Sequence, residues 1–167
     1  SYTLDARGNQ IATADRRGNA VQTEYDKVTG LPVSSTDALG YQTSCQYDKN
    51  GRILSKKNPD GSTKTFQYDL NGRLIRMTAE NGLVTELRYD GNGNITKSGT
   101  VQPDAQDKGI WIARSFTTDK NHVASVTDAE GNRILYDWNV KSDLLNSLTD
   151  GQGNRLSYKY DSADRMT

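Results

Sequence analysis

The stretch Gly61-Ser-Thr-Lys-Thr-Phe-Gln-Tyr-Asp-Leu-Asn-Gly-Arg-Leu74 contains a turn, an alternating strand that ends in Tyr68-Asp69, a second turn and the start of another strand. The same pattern recurs along the chain. A glycine lies eight residues before the aspartate position in six places: Gly18/Asp26, Gly40/Asp48, Gly61/Asp69, Gly82/Asp90, Gly131/Asn139 and Gly153/Asp161. With Asp5 and Asp119 included, successive positions lie 20 to 29 residues apart. Self-similarity at such a period predicts tandem structural repeats.

Each repeat has the composition of a β-hairpin. Short turns rich in Gly, Asn and Asp separate runs of about five to seven residues, and these turn residues supply the positive φ that a tight reversal needs. No segment keeps an apolar period of 3.6 residues, so we expect essentially no helix. The sequence therefore predicts an all-β fold. Antiparallel hairpins of about 21 residues each should lie side by side in a twisted, curving open sheet.

The second strand of each repeat alternates between an aromatic face and a polar face. Phe66 and Tyr68 fall on one face, whereas Gln67 between them falls on the other. Cys45 occupies the same inward position as Phe66, which suits a small packed hydrophobic residue. A single hairpin cannot bury such a face, so neighbouring hairpins must bury it for one another.

Two places depart from the regular spacing. Pro32 lacks an amide donor, so its strand should lie at an edge or begin late. The step from Asp90 to Asp119 is 29 residues, longer than any other. We expect the additional residues to form a longer hairpin loop from Ser98 to Gly109, followed by a strand from Ile110 to Phe116.

Composition excludes several classes of partner. Twenty-one basic and 21 acidic residues are interspersed, which gives a net charge of zero and no basic patch for nucleic acid or an anionic membrane. No apolar stretch reaches the roughly 20 residues of a membrane helix. Nine tyrosines and a net charge of zero favour an ordered chain despite a mean hydropathy of −0.83. We expect residues 1–167 to form one repeat array within a longer protein.

The recurring motif, in Tyr47-Asp48-Lys-Asn-Gly51-Arg52-Ile53 and Tyr68-Asp69-Leu-Asn-Gly72-Arg73-Leu74, resembles the YD repeat of the Rhs family. Relatives include bacterial polymorphic toxins, wall-associated proteins, insecticidal toxin-complex C components and teneurins. The resemblance assigns structural roles to the motif residues Tyr25, Asp26, Tyr47, Asp48, Gly51, Arg52, Tyr68, Asp69, Gly72, Arg73, Tyr89, Asp90, Tyr160 and Asp161.

The resemblance implies a structural function. In that family, YD hairpins wind into a hollow shell that encloses a C-terminal toxin domain or, in teneurins, form a barrel at the cell surface. We expect a shell segment of a secreted or cell-surface protein that encapsulates or presents a C-terminal effector. Its partners would be the neighbouring repeats and the effector of the same polypeptide, with no enzyme activity and no cofactor.

The motif is imperfect in the later repeats. Thr118 precedes Asp119 where tyrosine is expected, and Trp138-Asn139 replaces Tyr-Asp. His122, Ser142 and Asp164 stand where the turn glycine is expected.

Carbohydrate binding is the main alternative function. A row of exposed aromatic side chains on a rigid sheet can stack on sugar rings, and Tyr89, Trp111, Trp138 and Tyr160 are the candidate stacking residues for cell-surface or cell-wall glycans. The opposing interpretation is that the aromatic row only joins the hairpins, which its strict inward period favours.

Other chemistry has less support. His122 and Cys45 lie far apart in sequence and form no known catalytic spacing. Asp90-Gly-Asn92-Gly-Asn94 resembles the start of a calcium loop, but Ile95 and Val101 stand where glycine and glutamate are required, so we expect no metal site. Unpaired strand edges predict edge-to-edge self-association of the isolated chain.

Overall fold

A computed structural model describes residues 1–101 and 109–167. The described residues contain β-strands joined by turns and no α-helix, which confirms the all-β prediction. No helix in these two ranges is long and apolar enough to cross a membrane. The chain divides into two compact units, Ser1–Val84 and Thr85–Thr167.

The first unit is a hairpin array in which each strand pairs antiparallel with the next strand in the chain. Its strands are β1 (Tyr2–Leu4), β2 (Gln10–Ala14), β3 (Ala20–Tyr25), β4 (Pro32–Thr36), β5 (Gln42–Tyr47), β6 (Ile53–Lys57), β7 (Thr63–Tyr68) and β8 (Leu74–Thr78). Pro32 is the first residue of β4, so the strand begins late, as expected, and no amide of the ladder is lost.

The second unit repeats this arrangement. Its strands are β9 (Val84–Tyr89, which starts at the unit boundary), β10 (Ile95–Val101), β11 (Gly109–Phe116), β12 (Val123–Thr127), β13 (Arg133–Trp138), β14 (Leu145–Thr149) and β15 (Arg155–Ser157). They pair in chain order from β9 to β15. The predicted hairpin repeat is therefore present in both units.

The long loop predicted from Ser98 to Gly109 is wrong at both ends. Ser98 pairs with Ile112 and Val101 pairs with Gly109, so residues 98–101 belong to β10 and Gly109 begins β11. Residues 102–108, the centre of the predicted loop, lie outside the described residues. The strand predicted to end at Phe116 is confirmed.

The repeat position assigned to Asp119 is also wrong. Phe116 pairs with Val123 across a bulge, just as Tyr25 pairs with Pro32 and Trp138 pairs with Leu145. Phe116 therefore takes the tyrosine position and Thr117 the aspartate position. The step from Asp90 to the next equivalent position is thus 27 residues, not 29.

Burial within the units is shallow. Among the described residues only Val84, Val101, Trp111, Ser125 and Ser147 are buried, and most other strand residues are half-exposed. A domain that packs two layers would bury many more apolar side chains. Each unit is therefore a single-layer sheet whose order depends on contacts between successive hairpins.

Candidate functional site

In five hairpins, the aromatic residue at the end of the hairpin is tied to the hairpin's own first strand. Its polar atom donates a hydrogen bond to the backbone carbonyl found 15 residues earlier in the chain. The five bonds are Tyr25 Oη to Gln10 O (3.2 Å), Tyr47 Oη to Pro32 O (2.8 Å), Tyr68 Oη to Ile53 O (3.0 Å), Trp138 Nε1 to Val123 O (2.8 Å) and Tyr160 Oη to Leu145 O (3.0 Å). Tryptophan at position 138 thus preserves the bond that tyrosine makes elsewhere.

A β-bulge lies at four of these positions, beside Tyr25, Tyr47, Tyr68 and Trp138. Gln67 pairs with Arg76 but Tyr68 pairs with Leu74, so Ile75 is an additional residue on β8. The same shift occurs beside Tyr47, where Gln46 pairs with Ser55 and Tyr47 pairs with Ile53. A bulge disrupts the regular ladder and increases the local twist. The aromatic bond therefore joins the ladder at the point where its regular pairing is interrupted.

The aspartate after each tyrosine closes the following turn. Asp69 Oδ1 accepts the backbone N–H groups of Asn71 and Arg73, both at 2.9 Å, and Asp69 Oδ2 accepts Arg73 Nε at 2.7 Å. Asp48 makes the same bonds to Asn50 and Arg52. The backbone amide of the arginine, together with its guanidinium, holds the pKa of each carboxyl below its usual value. Gly51 and Gly72 follow within these turns at φ 79° and 83°.

Several turns replace that arginine by asparagine. In five of them, the asparagine four residues after an aspartate donates both its backbone and its side-chain N–H to that aspartate; the pairs are Asp5/Asn9, Asp15/Asn19, Asp90/Asn94, Asp128/Asn132 and Asp150/Asn154. The side-chain bond from asparagine is the leading cause of the lowered aspartate pKa in these turns. The pattern Asp-x-x-Gly-Asn is the local sequence signal of these turns, as Asp-x-x-Gly-Arg is of the turns at Asp48 and Asp69.

These bonds also account for the resemblance to a calcium loop. Asp90 Oδ1 accepts the amides of Asn92 and Asn94, and Asp90 Oδ2 accepts Asn94 Nδ2. Both carboxylate oxygens therefore hold the turn itself. The described residues contain no group of three or more His, Cys, Asp or Glu side chains placed to hold a metal ion.

In several hairpins, the residue just before the first strand contacts the next turn along the array, and we call it the slot residue. Arg52 lies 4.8 Å from the centre of the Tyr68 ring, within cation–π range. A Cβ added to Gly72, the positive-φ residue of that turn, would lie 2.8 Å from Arg52 Nη1. Leu31 takes the equivalent position against Gly51, 3.5 Å from a Cβ added there. Glycine therefore provides room for the slot residue as well as the positive φ.

Three turns of the second unit use a polar residue in place of that glycine. Asn121 (φ 63°) and Asp143 (φ 66°) adopt the positive φ, so the prediction that His122 and Ser142 would do so is wrong by one residue in each turn. The assignment of Asp164 (φ 60°) is correct. Asn and Asp tolerate this conformation better than other side chains.

Asn121 and Asp143 each bond to the slot residue of the preceding turn. Asn121 and Asn94 exchange two amide bonds, of 2.6 and 2.8 Å. Asp143 Oδ1 lies 2.6 Å from Nε2 of His122, the slot residue before it, and 3.1 Å from Lys120 Nζ. These contacts hold the pKa of Asp143 below its usual value, with the His122 bond as the leading cause. A side-chain bond thus replaces the close packing that glycine allows in the first unit.

The four candidate sugar-stacking residues occupy different environments. Trp111 is only 8% exposed, and the cationic groups of Lys97 and Arg88 lie 4.2 and 5.1 Å from its ring, so Trp111 offers no open face to a sugar. Tyr89 ends β9, and Tyr160 lies near the end of the chain with its hydroxyl bonded to Leu145. Trp138 stacks on His122 with ring centres 4.4 Å apart and lines an open cleft.

Cys45 is free and half-buried, and it lies beside Tyr47. Burial, with a smaller contribution from Cys45, raises the pKa of the Tyr47 hydroxyl, so Tyr47 stays protonated as the donor to Pro32 O.

The aspartate turns predict acid sensitivity. The carboxyls of Asp48 and Asp69 have folded-state pKa values below those of an unfolded aspartate, so they release protons on folding. We expect stability to be fully present above the unfolded pKa and to be lost as the pH falls through the folded values. Urea unfolding at pH 7, 5, 4 and 3 measures this dependence.

The matched variant for that experiment is Asp69→Asn, which cannot titrate. It should lose less stability than the unmodified chain between pH 5 and pH 3. Equal unfolding free energies at pH 7 and pH 3 would contradict the assignment of these carboxylates to the turns.

The bulged hairpins, the aromatic-to-carbonyl bonds and the aspartate turns define a tandem hairpin-repeat protein of the YD type. The chain belongs to the teneurin YD-shell family, whose profile matches residues 25–167. The resemblance to YD-repeat proteins is thereby confirmed. No curated protein sequence matches the chain at a significant level.

Solved structures of toxin complexes share the fold. The chain is similar to TcdB2-TccC3 without its hypervariable C-terminal region (TM-score 0.66, 19% identity) and to TcdB2-TccC3-Cdc42 (0.65, 18%). It is also similar to the Tc holotoxin pore of Photorhabdus luminescens (0.66, 20%). Each match covers 99% of this chain and 10% of the other, so the chain spans about a tenth of the length of these structures.

Proposed function

We propose that the chain is a section of a shell wall that encloses or presents a C-terminal effector domain of the same polypeptide. The observation that supports this function is the single-layer sheet, in which successive hairpins hold one another through strand pairing, as between β7 and β8, and through contacts between turns, as between Arg52 and Gly72. A single-layer sheet has two uncovered faces, so one can face an enclosed effector while the other faces solvent. Family membership supports the structural part of this proposal, and we infer a non-enzymatic role for this segment.

The wall proposal is tested on the full polypeptide that carries this chain. Limited proteolysis should leave a downstream effector segment intact, and Tyr68→Ala should make that segment cleavable because it loosens the wall. The control is Tyr41→Ala, which removes a tyrosine that is 58% exposed and should leave the protection unchanged. Equal cleavage of the downstream segment in all three proteins, or the absence of such a segment, would contradict the proposal.

We further propose an extracellular or cell-surface location. The location follows from the family, which includes teneurins and secreted toxin complexes.

We also propose that the isolated chain self-associates by pairing of strand edges. Within the described part of the first unit, β1 has β2 as its only partner, so its other edge offers free backbone groups. Sedimentation velocity over a concentration series tests self-association through such edges, and a monomer at every concentration would exclude it.

Carbohydrate binding remains a second candidate function. The observation that favours it is the open cleft beside Trp138, which combines aromatic side chains with a polar rim. The test is the binding of a glycan panel to the chain, compared with Trp138→Ala, Tyr89→Ala and Tyr160→Ala after each variant is shown to be folded. A glycan that binds the unmodified chain but not a folded variant would support recognition by that aromatic residue. No binding at millimolar sugar would leave containment as the function.

A further inference from the structure

A cleft of about 200 Å³ lies between two consecutive turns of the second unit. The turns are those in which Thr117 N–H bonds to His122 O and Asn139 N–H bonds to Leu144 O. Each turn is one residue longer than the turn closed by Asp69 N–H and Arg73 O. The cleft is smaller than the roughly 300 Å³ at which drug-sized pockets begin, so it suits a single small ring.

The floor of the cleft is aromatic and fixed in place. Tyr136 and Trp138 lie two residues apart on β13, both half-buried, and both line the cleft. Trp138 is held by its bond to Val123 O and by its stack on His122, at an interplanar angle of 17°. His122 is held in turn by Asp143. A floor that needs no reordering reduces the entropic cost of binding a ligand.

The cleft contains polar atoms that the fold does not use. In the part of the chain that the structure describes, the Tyr136 hydroxyl makes no hydrogen bond, whereas the hydroxyls of Tyr68 and Tyr160 bond to carbonyls. Asn139 Oδ1 accepts hydrogen bonds from the backbone N–H groups of Lys141 and Ser142. The side-chain N–H groups of Asn139 have no hydrogen-bond partner among the described residues. The cleft thus offers both donors and acceptors above an apolar floor.

The charge of the rim restricts the ligand. Asp119, Asp137 and Asp143 line the cleft, with Lys120 as the one lysine or arginine among the lining residues. Asp143 is paired with Lys120, and Asp137 is paired with Arg155, so Asp119 is the carboxylate that leaves the rim with a net negative charge. A negative rim repels anionic groups, including the carboxylates of uronic and sialic acids. A neutral ring that carries hydroxyl groups satisfies the donors and acceptors without this repulsion.

We propose that this cleft binds the terminal neutral pyranose ring of a glycan. The ring would lie against Tyr136 and Trp138, and the Tyr136 hydroxyl would bond to one of its hydroxyl groups. This inference rests on carbohydrate recognition as the second candidate function and specifies its site and sugar class. A single shallow contact of this size should give a dissociation constant on the order of 1 mM.

The experiment is a titration of the chain with the methyl glycosides of glucose, galactose, mannose and N-acetylglucosamine. Glucuronic acid and N-acetylneuraminic acid serve as anionic probes, and tryptophan fluorescence and saturation-transfer NMR follow binding. Tyr136→Phe should weaken binding of the neutral glycoside by roughly threefold to tenfold, the loss of one hydrogen bond. Tyr158→Phe is the matched control, because Tyr158 lies outside the cleft and its hydroxyl has no bond in the described ranges.

The outcomes separate the site from the function. Weaker binding in Tyr136→Phe, with unchanged binding in Tyr158→Phe, supports the cleft. Neutral sugar that binds Tyr136→Phe and Trp138→Ala as tightly as the unmodified chain overturns the cleft while keeping glycan recognition. Tighter binding of the anionic sugars overturns the assigned sugar class. If no glycoside binds at 10 mM, on the order of ten times the expected dissociation constant, both the cleft and the second candidate function fail.

Discussion

Gly99→Ala is expected to destabilise the chain by about 3 kcal/mol, the largest effect among the substitutions considered. Gly99 lies in β10 opposite Trp111 of β11. A Cβ added at Gly99 would lie 2.9 Å from the Trp111 Cα, and the Ile110 carbonyl oxygen would be closer still. Because these neighbours are backbone atoms, the clash can be relieved only by separating the two strands. Urea unfolding at pH 7 measures the loss.

The matched control is Gly91→Ala. Gly91 has nothing within 4 Å of an added Cβ and no positive φ, so alanine there should change the unfolding free energy by less than about 0.5 kcal/mol. Similar stability of Gly99→Ala and Gly91→Ala would contradict the close approach of β10 and β11. A red shift of the tryptophan fluorescence in Gly99→Ala, which reports greater exposure of Trp111 to water, would place the disturbance at this strand pair.

Tyr68→Ala is expected to cost about 2–3 kcal/mol. The substitution removes a half-buried ring, the bond from its hydroxyl to Ile53 O, and the surface on which Arg52 lies 4.8 Å from the ring centre. Tyr68→Phe removes the hydroxyl alone and should cost about 1 kcal/mol. Urea unfolding of both variants divides the contribution of the ring from that of the bond.

Tyr136→Phe provides the control for the hydroxyl, because the Tyr136 hydroxyl makes no hydrogen bond in the described part of the chain. It should change stability by less than about 0.5 kcal/mol. If Tyr68→Phe and Tyr136→Phe are equally stable, the aromatic-to-carbonyl bond contributes nothing to the array.

The sequence allowed the hairpin repeat and most turn positions to be predicted because both depend on local residue spacing. Tyr68, Asp69, Gly72 and Arg73 lie within six residues of one another, and the turn they form follows from positive φ and aspartate bonding. The position of Thr117 was missed because Asp119, two residues later, offered a closer match to the motif. The pairing of Phe116 with Val123 is what places Thr117 at the aspartate position. Pairing depends on two strands, so spacing within one strand does not reveal it.

Contacts between repeats were beyond local reasoning. His122 meets Asp143 and Asn94 meets Asn121, at separations of 21 and 27 residues, and neither pair has a motif of its own. Exposure of the tryptophans could not be predicted for the same reason. Trp111 is covered by side chains from other strands, Arg88 of β9 and Lys97 of β10, whereas Trp138 lines a cleft made by two turns.

The constant separation of 15 residues between each aromatic donor and its carbonyl acceptor fixes the number of residues in every such hairpin. The distal turn inside that span cannot gain residues without pulling the donor out of reach. Phe116 closes the one hairpin that exceeds this length, since its first strand begins at Ile95, and phenylalanine has no proton to donate. The length of this hairpin is therefore not restricted by an aromatic-to-carbonyl bond, unlike the length of the five hairpins that make one.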